Sequence, residues 1–212
     1  RQGDHDGALP LQIRDLVGSG ADLVICSGHK YLSGTTAGIV CGKADLVQAV
    51  YAQNRGIGRP MKVGKEGIVG VMASLEHRMK IDVEVWKADQ NSKMQTVLDR
   101  LKGTEGVYLS VDPDPNGNPF SRARVSVDSV SAGLSAAVVC AAMADGDPSI
   151  SLRGHHTDEG YFNVDTIEMT DDEVGLTCDR LEAILRGSEG EKAAVMEAYG
   201  KRQADHRRVW LG

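Results

Sequence analysis

Lys30 stands in the stretch ADLVICSGHKYLSGTTAGIVCG, residues 21–42. A lysine ammonium in water titrates near ~10.4 and is a poor nucleophile at neutral pH. Desolvation or a nearby cation lowers that value, and lysines tuned in this way condense with carbonyl compounds to Schiff bases. The run ADLVICS ahead of Lys30 predicts a short buried strand. Ligands of open α/β sheets bind beyond the carboxyl ends of such strands. Ser27, Gly28, Ser33 and Gly34 are small enough to let backbone and hydroxyl groups approach a phosphate. A merely solvated turn lysine would have the same neighbours, so the decision rests on what else the chain holds.

A second chemical segment is RGIGRPMKVGK, with Arg55, Arg59, Lys62 and Lys65. Cations at a helix start oppose the helix dipole, so this loop calls for an anionic group nearby. Further along, SRARVSVD alternates, with Ala123, Val125 and Val127 on one face and Arg122 and Arg124 on the other. Arg153 ends the run SISLR. An arginine fork matches a carboxylate in geometry and charge. His155 and His156 could move protons, but a histidine pair in a glycine-flanked loop reads first as polar loop. Neither has a carboxylate or thiol at ligand spacing, and the four cysteines, Cys26, Cys41, Cys140 and Cys178, form no CxxC pair. No metal site is expected, and the cysteines read as reduced core residues.

The elements that must position these groups follow from pattern. A helix is expected over 10–18, strands over 21–27 and 36–42 around the glycine-bracketed turn of Lys30, and a helix over 43–53. From Lys65 to about Lys80 the apolar residues Ile68, Met72, Leu75 and Met79 recur at helical spacing. A further helix covers 83–102, with Trp86, Met94, Val97, Leu98 and Leu101. Beyond Gly103 the pattern changes to strands VYLSVD and RARVSVD joined by DPDPNGNP, a small-residue helix over 131–146, strands SISLRG and GYFNVDT, a helix with a Thr170/Glu173 capping box, and a charged helix over 189–207. This predicts an α/β piece with a mostly parallel sheet over 1–85 and a smaller α+β piece of antiparallel strands over 86–212, the boundary falling between 83 and 104.

The 212 residues are 41% hydrophobic and 25% charged, an ordinary soluble balance. No apolar run reaches the ~20 residues that cross a bilayer, and no signal peptide opens the chain. The net charge of -6 argues against a nucleic-acid surface. The absence of an initiating methionine, and the position of Lys30 so near residue 1, point to the C-terminal portion of a longer protein.

The segment GADLVICSGHKYLSGTTAGIVCGKADLV resembles the Schiff-base segment of fold type I pyridoxal-phosphate enzymes. It follows the pattern GADLV-x-x-SG-x-K-x-x-x-G-x-x-[AS]-G of the branch that holds the seryl-tRNA(Sec) selenium transferases and the D-glucosaminate-6-phosphate ammonia-lyases. Residues 56–76, GIGRPMKVGKEGIVGVMASLE, resemble that branch's GIGRPMKVGKEE segment nearly letter for letter. The likeness is close over residues 4–80 and continues in pattern to the C-terminus. It implies an aspartate-aminotransferase-like fold, pyridoxal 5'-phosphate as cofactor, and Lys30 as the Schiff-base lysine and later the base at the α-carbon. It implies an aspartate before this segment that pairs with the pyridinium nitrogen; Asp4 and Asp6 both qualify, with Asp4 slightly preferred for its spacing to Leu9 and Pro10. Ser27 and His29 fall beside the cofactor. Arg59 and Lys62 fall near a phosphate or carboxylate, and Arg153, or else Arg122 or Arg124, near the substrate's α-carboxylate.

The implied activity is α,β-elimination on an amino acid or amino sugar acid, giving a keto acid and ammonia. Transamination, racemisation, aldol cleavage and selenium transfer share its first step, and a non-catalytic scaffold on the same fold is the contrasting class. The resemblance further implies a cytoplasmic homo-oligomer, a dimer or higher, acting on a small molecule away from membranes and nucleic acid.

Overall fold

The computed structural model describes residues 12–30, 32–115 and 117–211. It falls into two compact units, one through Trp86 and one from Lys87 onward.

The first unit holds helix α1 (Gln12–Gly18), strands β1 (Leu23–Ser27) and β2 (Gly38–Gly42), helix α2 (Ala44–Ala52), short 3-10 turns at Gln53–Arg55 and Arg59–Met61, and helix α3 (Lys65–Arg78). Strands β1 and β2 are antiparallel, Leu23 opposite Gly42 and Ser27 opposite Gly38. The expectation of a mostly parallel sheet is therefore corrected for the described part of this unit. Residues 28–37 joining the strands are too few for a parallel crossover, which takes about a dozen or more. The strands are also less buried than their sequence suggests: Ile25 is 71% exposed, while its neighbours Val24 and Cys26 are half-buried. The open end of the hairpin closes tightly. Gly42 has φ +145, and a Cβ there would lie 2.1 Å from the Asp22 carbonyl oxygen.

Helix α3 forms over the span that the periodicity predicts, with most of its large apolar residues on the outside. Ile68 (49%), Met72 (62%) and Met79 (87%) are exposed, and the buried residue of the helix is Val71. The face that packs is the one carrying Gly67, Gly70, Val71 and Ser74.

The second unit takes in most of helix α4 (Val83–Leu101), then strands β3 (Val107–Pro113) and β4 (Ser121–Val127), helices α5 (Ser129–Ala132) and α6 (Ala136–Asp145), strand β5 (Tyr161–Val164), and helices α7 (Asp171–Leu185) and α8 (Glu189–Leu211). The sheet order is β3-β4-β5, antiparallel throughout, with Val125 opposite Leu109 on one side and Phe162 on the other. Alternate residues Ala123, Val125 and Val127, with Phe162 and Val164, meet Val97 and Leu101 of α4, Val139 and Met143 of α6, and Leu181 and Leu185 of α7 in one core. Burying a side chain such as Phe162 or Leu181 fully contributes roughly 1.5–3 kcal/mol.

The small-residue helix expected over 131–146 is two helices. Gly133 turns left-handed at φ 71 and ends α5, and the Ser135 hydroxyl accepts from Val138 N–H to start α6. SISLRG is not a strand; only Arg153 forms a bridge, to Asn163. The capping box of α7 forms as patterned, with Thr170 and Glu173 each accepting from the other's backbone N–H. Among the described residues no helix is long and apolar enough to cross a membrane, and no three His, Cys, Asp or Glu gather as metal ligands.

Candidate active site

The Lys30 turn is built by three backbone hydrogen bonds. Gly28 N–H donates to Ala37 O at 2.8 Å and continues the hairpin by one rung. Gly34 N–H donates to Gly28 O at 2.9 Å, and Ser33 N–H to Lys30 O at 2.8 Å. Ser33 occupies the left-handed region at φ 54. The turn thus folds back on itself and leaves the Lys30 side chain exposed at the end of β1. Among the described residues its ammonium makes no hydrogen bond or ion pair.

Helix α3 holds this turn from beneath. The Thr35 hydroxyl donates to Gly67 O at 2.6 Å, and the Ser74 hydroxyl donates to Leu32 O. Arg78 Nη2 donates to Ser33 Oγ at 3.1 Å. Leu32 is 3% exposed. The approach is close enough to require glycine: a Cβ on Gly28 would sit 2.8 Å from Val71 Cγ2, and one on Gly70 would sit 2.4 Å from Thr35 Cγ2. The two chemical segments of the sequence, the lysine turn and the GIGRPMKVGKEG stretch that leads into α3, therefore meet in one structure. Sequence reasoning did not find Thr35, Gly67, Gly70, Ser74 or Arg78. The signal that was available is the spacing of small residues along one helix face.

Of the other candidates in this unit, Ser27 ends β1 half-buried and His29 is exposed in the turn. Arg59 opens the second 3-10 turn and Lys62 closes it, both exposed. No hydrogen bond or ion pair joins either to the lysine turn among the described residues. Asp4 and Asp6 lie outside the described residues. Cys26 lies on β1, and burial, followed by the neighbouring Cys41, pushes its thiol up. Burial alone pushes the Cys140 thiol up to about 11. Raised thiols are poor nucleophiles at neutral pH.

In the second unit the three arginines part company. Arg122 is 4% exposed; its Nη2 donates to Asp114 Oδ1 at 2.8 Å and its Nε to Asp165 Oδ2 at 2.9 Å. Arg153 is 44% exposed and shares Asp165, Nη1 to Oδ2, at 3.1 Å. Arg124 has no carboxylate among the described residues; its guanidinium carbon lies 3.5 Å over the Tyr161 ring. His156 stacks on the same ring at 4.8 Å and its Nδ1 lies 2.9 Å from Glu159 Oε1. A guanidinium so close over the ring centre leaves that face no room for an imidazole, so His156 and Arg124 cover opposite faces of Tyr161. His155 is exposed.

Residues 9–102 match the family described as SelA, L-seryl-tRNA selenium transferase. The chain is 37% identical over 193 residues to a 5'-C-glycyluridine monooxygenase-decarboxylase from Streptomyces sp, covering 91% of this chain and 48% of that protein. It is 33% identical over 179 residues to the D-glucosaminate-6-phosphate ammonia lyase of Salmonella typhimurium (strain 14028s / SGSC 2262), covering 84% of this chain and 47% of that enzyme. A solved D-glucosaminate-6-phosphate ammonia-lyase structure superposes with a TM-score of 0.65 at 33% identity, over 80% of this chain and 45% of that one. The chain spans about half the length of the curated relatives it matches.

Proposed function

We propose that this chain, a homologue of the L-seryl-tRNA selenium transferases and of D-glucosaminate-6-phosphate ammonia-lyase, carries the lysine of a pyridoxal 5'-phosphate site and serves α,β-elimination on an amino acid or amino sugar acid. The observation that carries the reading is the Lys30 turn: an exposed amine without an ion-pair partner among the described residues, on a glycine turn clamped to α3. That donor set fits a cofactor aldehyde, because an amine tied to a carboxylate would be held protonated. When bound, the cofactor supplies an electron sink for the pair left on the α-carbon.

The chain's own residues do the rest. Lys30 Nζ would hold the cofactor by its aldehyde group and would serve as the base that takes the substrate's α-proton. Asp4 or Asp6 would pair with the cofactor's ring nitrogen. Ser27 and His29 flank the lysine at the end of β1. Arg59 and Lys62 face a phosphate or carboxylate, a role that suits a phosphorylated sugar acid. Arg153 offers its remaining N–H groups to the substrate carboxylate while Asp165 fixes its fork, and Arg124 is the alternative. Arg122 is committed to two carboxylates and serves stability. In this reading residues 1–85 are the C-terminal part of the cofactor-binding large domain of a fold type I enzyme, and 86–212 its small domain. The assembly is a cytoplasmic homodimer or larger.

The test is release of ammonia and keto acid by the full-length protein, across hydroxy-amino acids and 2-amino sugar acids with and without phosphate. Activity that Lys30→Ala abolishes supports the reading; activity that survives Lys30→Ala overturns it. A second reading rests on the 37% identity to the monooxygenase-decarboxylase: oxidative decarboxylation at the same α-carbon. It predicts oxygen uptake and carbon dioxide release in place of ammonia.

A further inference from the structure

We propose that Thr35 and Ser74 are positioning residues for Lys30, and that the small-residue face of α3 is shaped to receive the lysine turn; the inference rests on the reading of Lys30 given above. Glycine is a poor residue for a helix interior, yet Gly67 and Gly70 both lie inside α3. The structure shows what they admit. A Cβ at Gly70 would strike Thr35 at 2.4 Å, and the carbonyl of Gly67 is where the Thr35 hydroxyl donates, at 2.6 Å. A turn backbone that lies on a helix needs its carbonyls satisfied, and Leu32 O is satisfied by the Ser74 hydroxyl, about two helical turns beyond Gly67.

The two latches grip the chain at Leu32 and at Thr35. Between them lies Ser33, whose N–H closes the ring back to Lys30 O at 2.8 Å. The latches hold Leu32, inside that ring, and Thr35, two residues past it, so the side of the turn that follows Lys30 is fixed to α3 and limits the arc the Lys30 side chain sweeps. The physical consequence is preorganisation: a reactive amine anchored on a fixed turn forfeits less entropy when it meets its aldehyde. An apolar contact could hold the loop down, but two directional hydrogen bonds also set its register.

The experiment uses the full-length protein and pyridoxal 5'-phosphate. Thr35→Val removes the hydroxyl and keeps the shape; Thr35→Ser keeps the hydroxyl. The readouts are the rate at which a borohydride-stable pyridoxyl label appears on Lys30, and the pH midpoint of the accompanying absorbance band. Thr35→Val is expected to slow labelling about fivefold to tenfold, the worth of one hydrogen bond, and to move the pH midpoint. Thr35→Ser is expected to restore both. Gly70→Ala, which favours the helix but displaces Thr35, is expected to act like Thr35→Val. Wild-type rate and midpoint in both Thr35→Val and Gly70→Ala would overturn the inference. So would slower labelling that only tracks loss of folded protein in a thermal melt, with the midpoint unmoved. A wild-type protein that takes no label on Lys30 would instead defeat the underlying reading, and this inference with it.

Discussion

Replacing Arg122 with methionine is expected to destabilise the second unit severely. The side chain of Arg122 is 4% exposed and that of Asp114 is 1% exposed, with 2.8 Å between Nη2 and Oδ1. Asp114 also accepts from Asn118 Nδ2 at 2.7 Å, so it ties the β3-β4 turn to the arginine. Methionine fills much of the volume but leaves the Asp114 carboxylate buried without its cation. Removing one partner of a buried pair costs about 3–5 kcal/mol, most of it the desolvated charge left behind. Asp165, 21% exposed, keeps Arg153 and adds less. For a folding unit the size of residues 87–212, this corresponds to a fall in Tm of about 10–20 °C.

The assay is thermal and urea denaturation of the full-length protein followed by circular dichroism. The control is the double variant Arg122→Met/Asp114→Leu, in which no charge is stranded; it is expected to recover at least half of the loss, since an apolar pair can replace a buried ion pair. A single variant within about 1 kcal/mol of wild type, a cost more typical of an exposed pair, would refute the burial argument. A double variant no more stable than the single would do the same.

Two further outcomes follow from local geometry. Gly106→Ala is expected to destabilise strongly, because Gly106 has φ +70 and its new Cβ would lie 2.3 Å from Ala132 N; a urea midpoint equal to wild type would count against that packing. Hydrogen bonds from Thr170 hold the Glu173 carboxyl below the usual carboxylate range. Its contribution is therefore present above the unfolded value of about 4.3 and is lost as pH falls through the lower folded value. Glu173→Gln should be less stable than wild type at pH 7, with the two urea midpoints converging below pH ~4; a gap that does not change with pH would exclude the linkage.

Much of the fold was legible because its elements carry local signals. The Thr170/Glu173 box, the alternation of Ala123, Val125 and Val127, and the turn glycines around Lys30 each declare a structure within a few residues. Helix α3 was placed correctly, but the face it packs was not legible. Periodicity counts large apolar side chains, and Ile68, Met72 and Met79 have them; the partner of α3 here is backbone, and backbone is received by Gly67, Gly70 and Ser74. The break before α6 was written as Gly133 and Ser135 but was masked by the alanines around them. Arg122 and Arg124 share a face in sequence and differ in fate. Asp114 and Asp165 close over the first, and nothing in the alternation of β4 foretells two carboxylates brought from other segments. The turn that carries Lys30 was legible by its setting. Its clamp was not, because Thr35 and Ser74 act through a contact that only the folded turn creates.

The most direct test of the central claim is to treat the full-length protein with pyridoxal 5'-phosphate, reduce it with borohydride, and map the labelled peptide by mass. The account predicts a pyridoxyl group on Lys30, in the peptide that contains SGHKYLSG. A Lys30 that stays unmodified with the cofactor in excess would contradict it, and would leave a chain that keeps a catalytic fold without its chemistry.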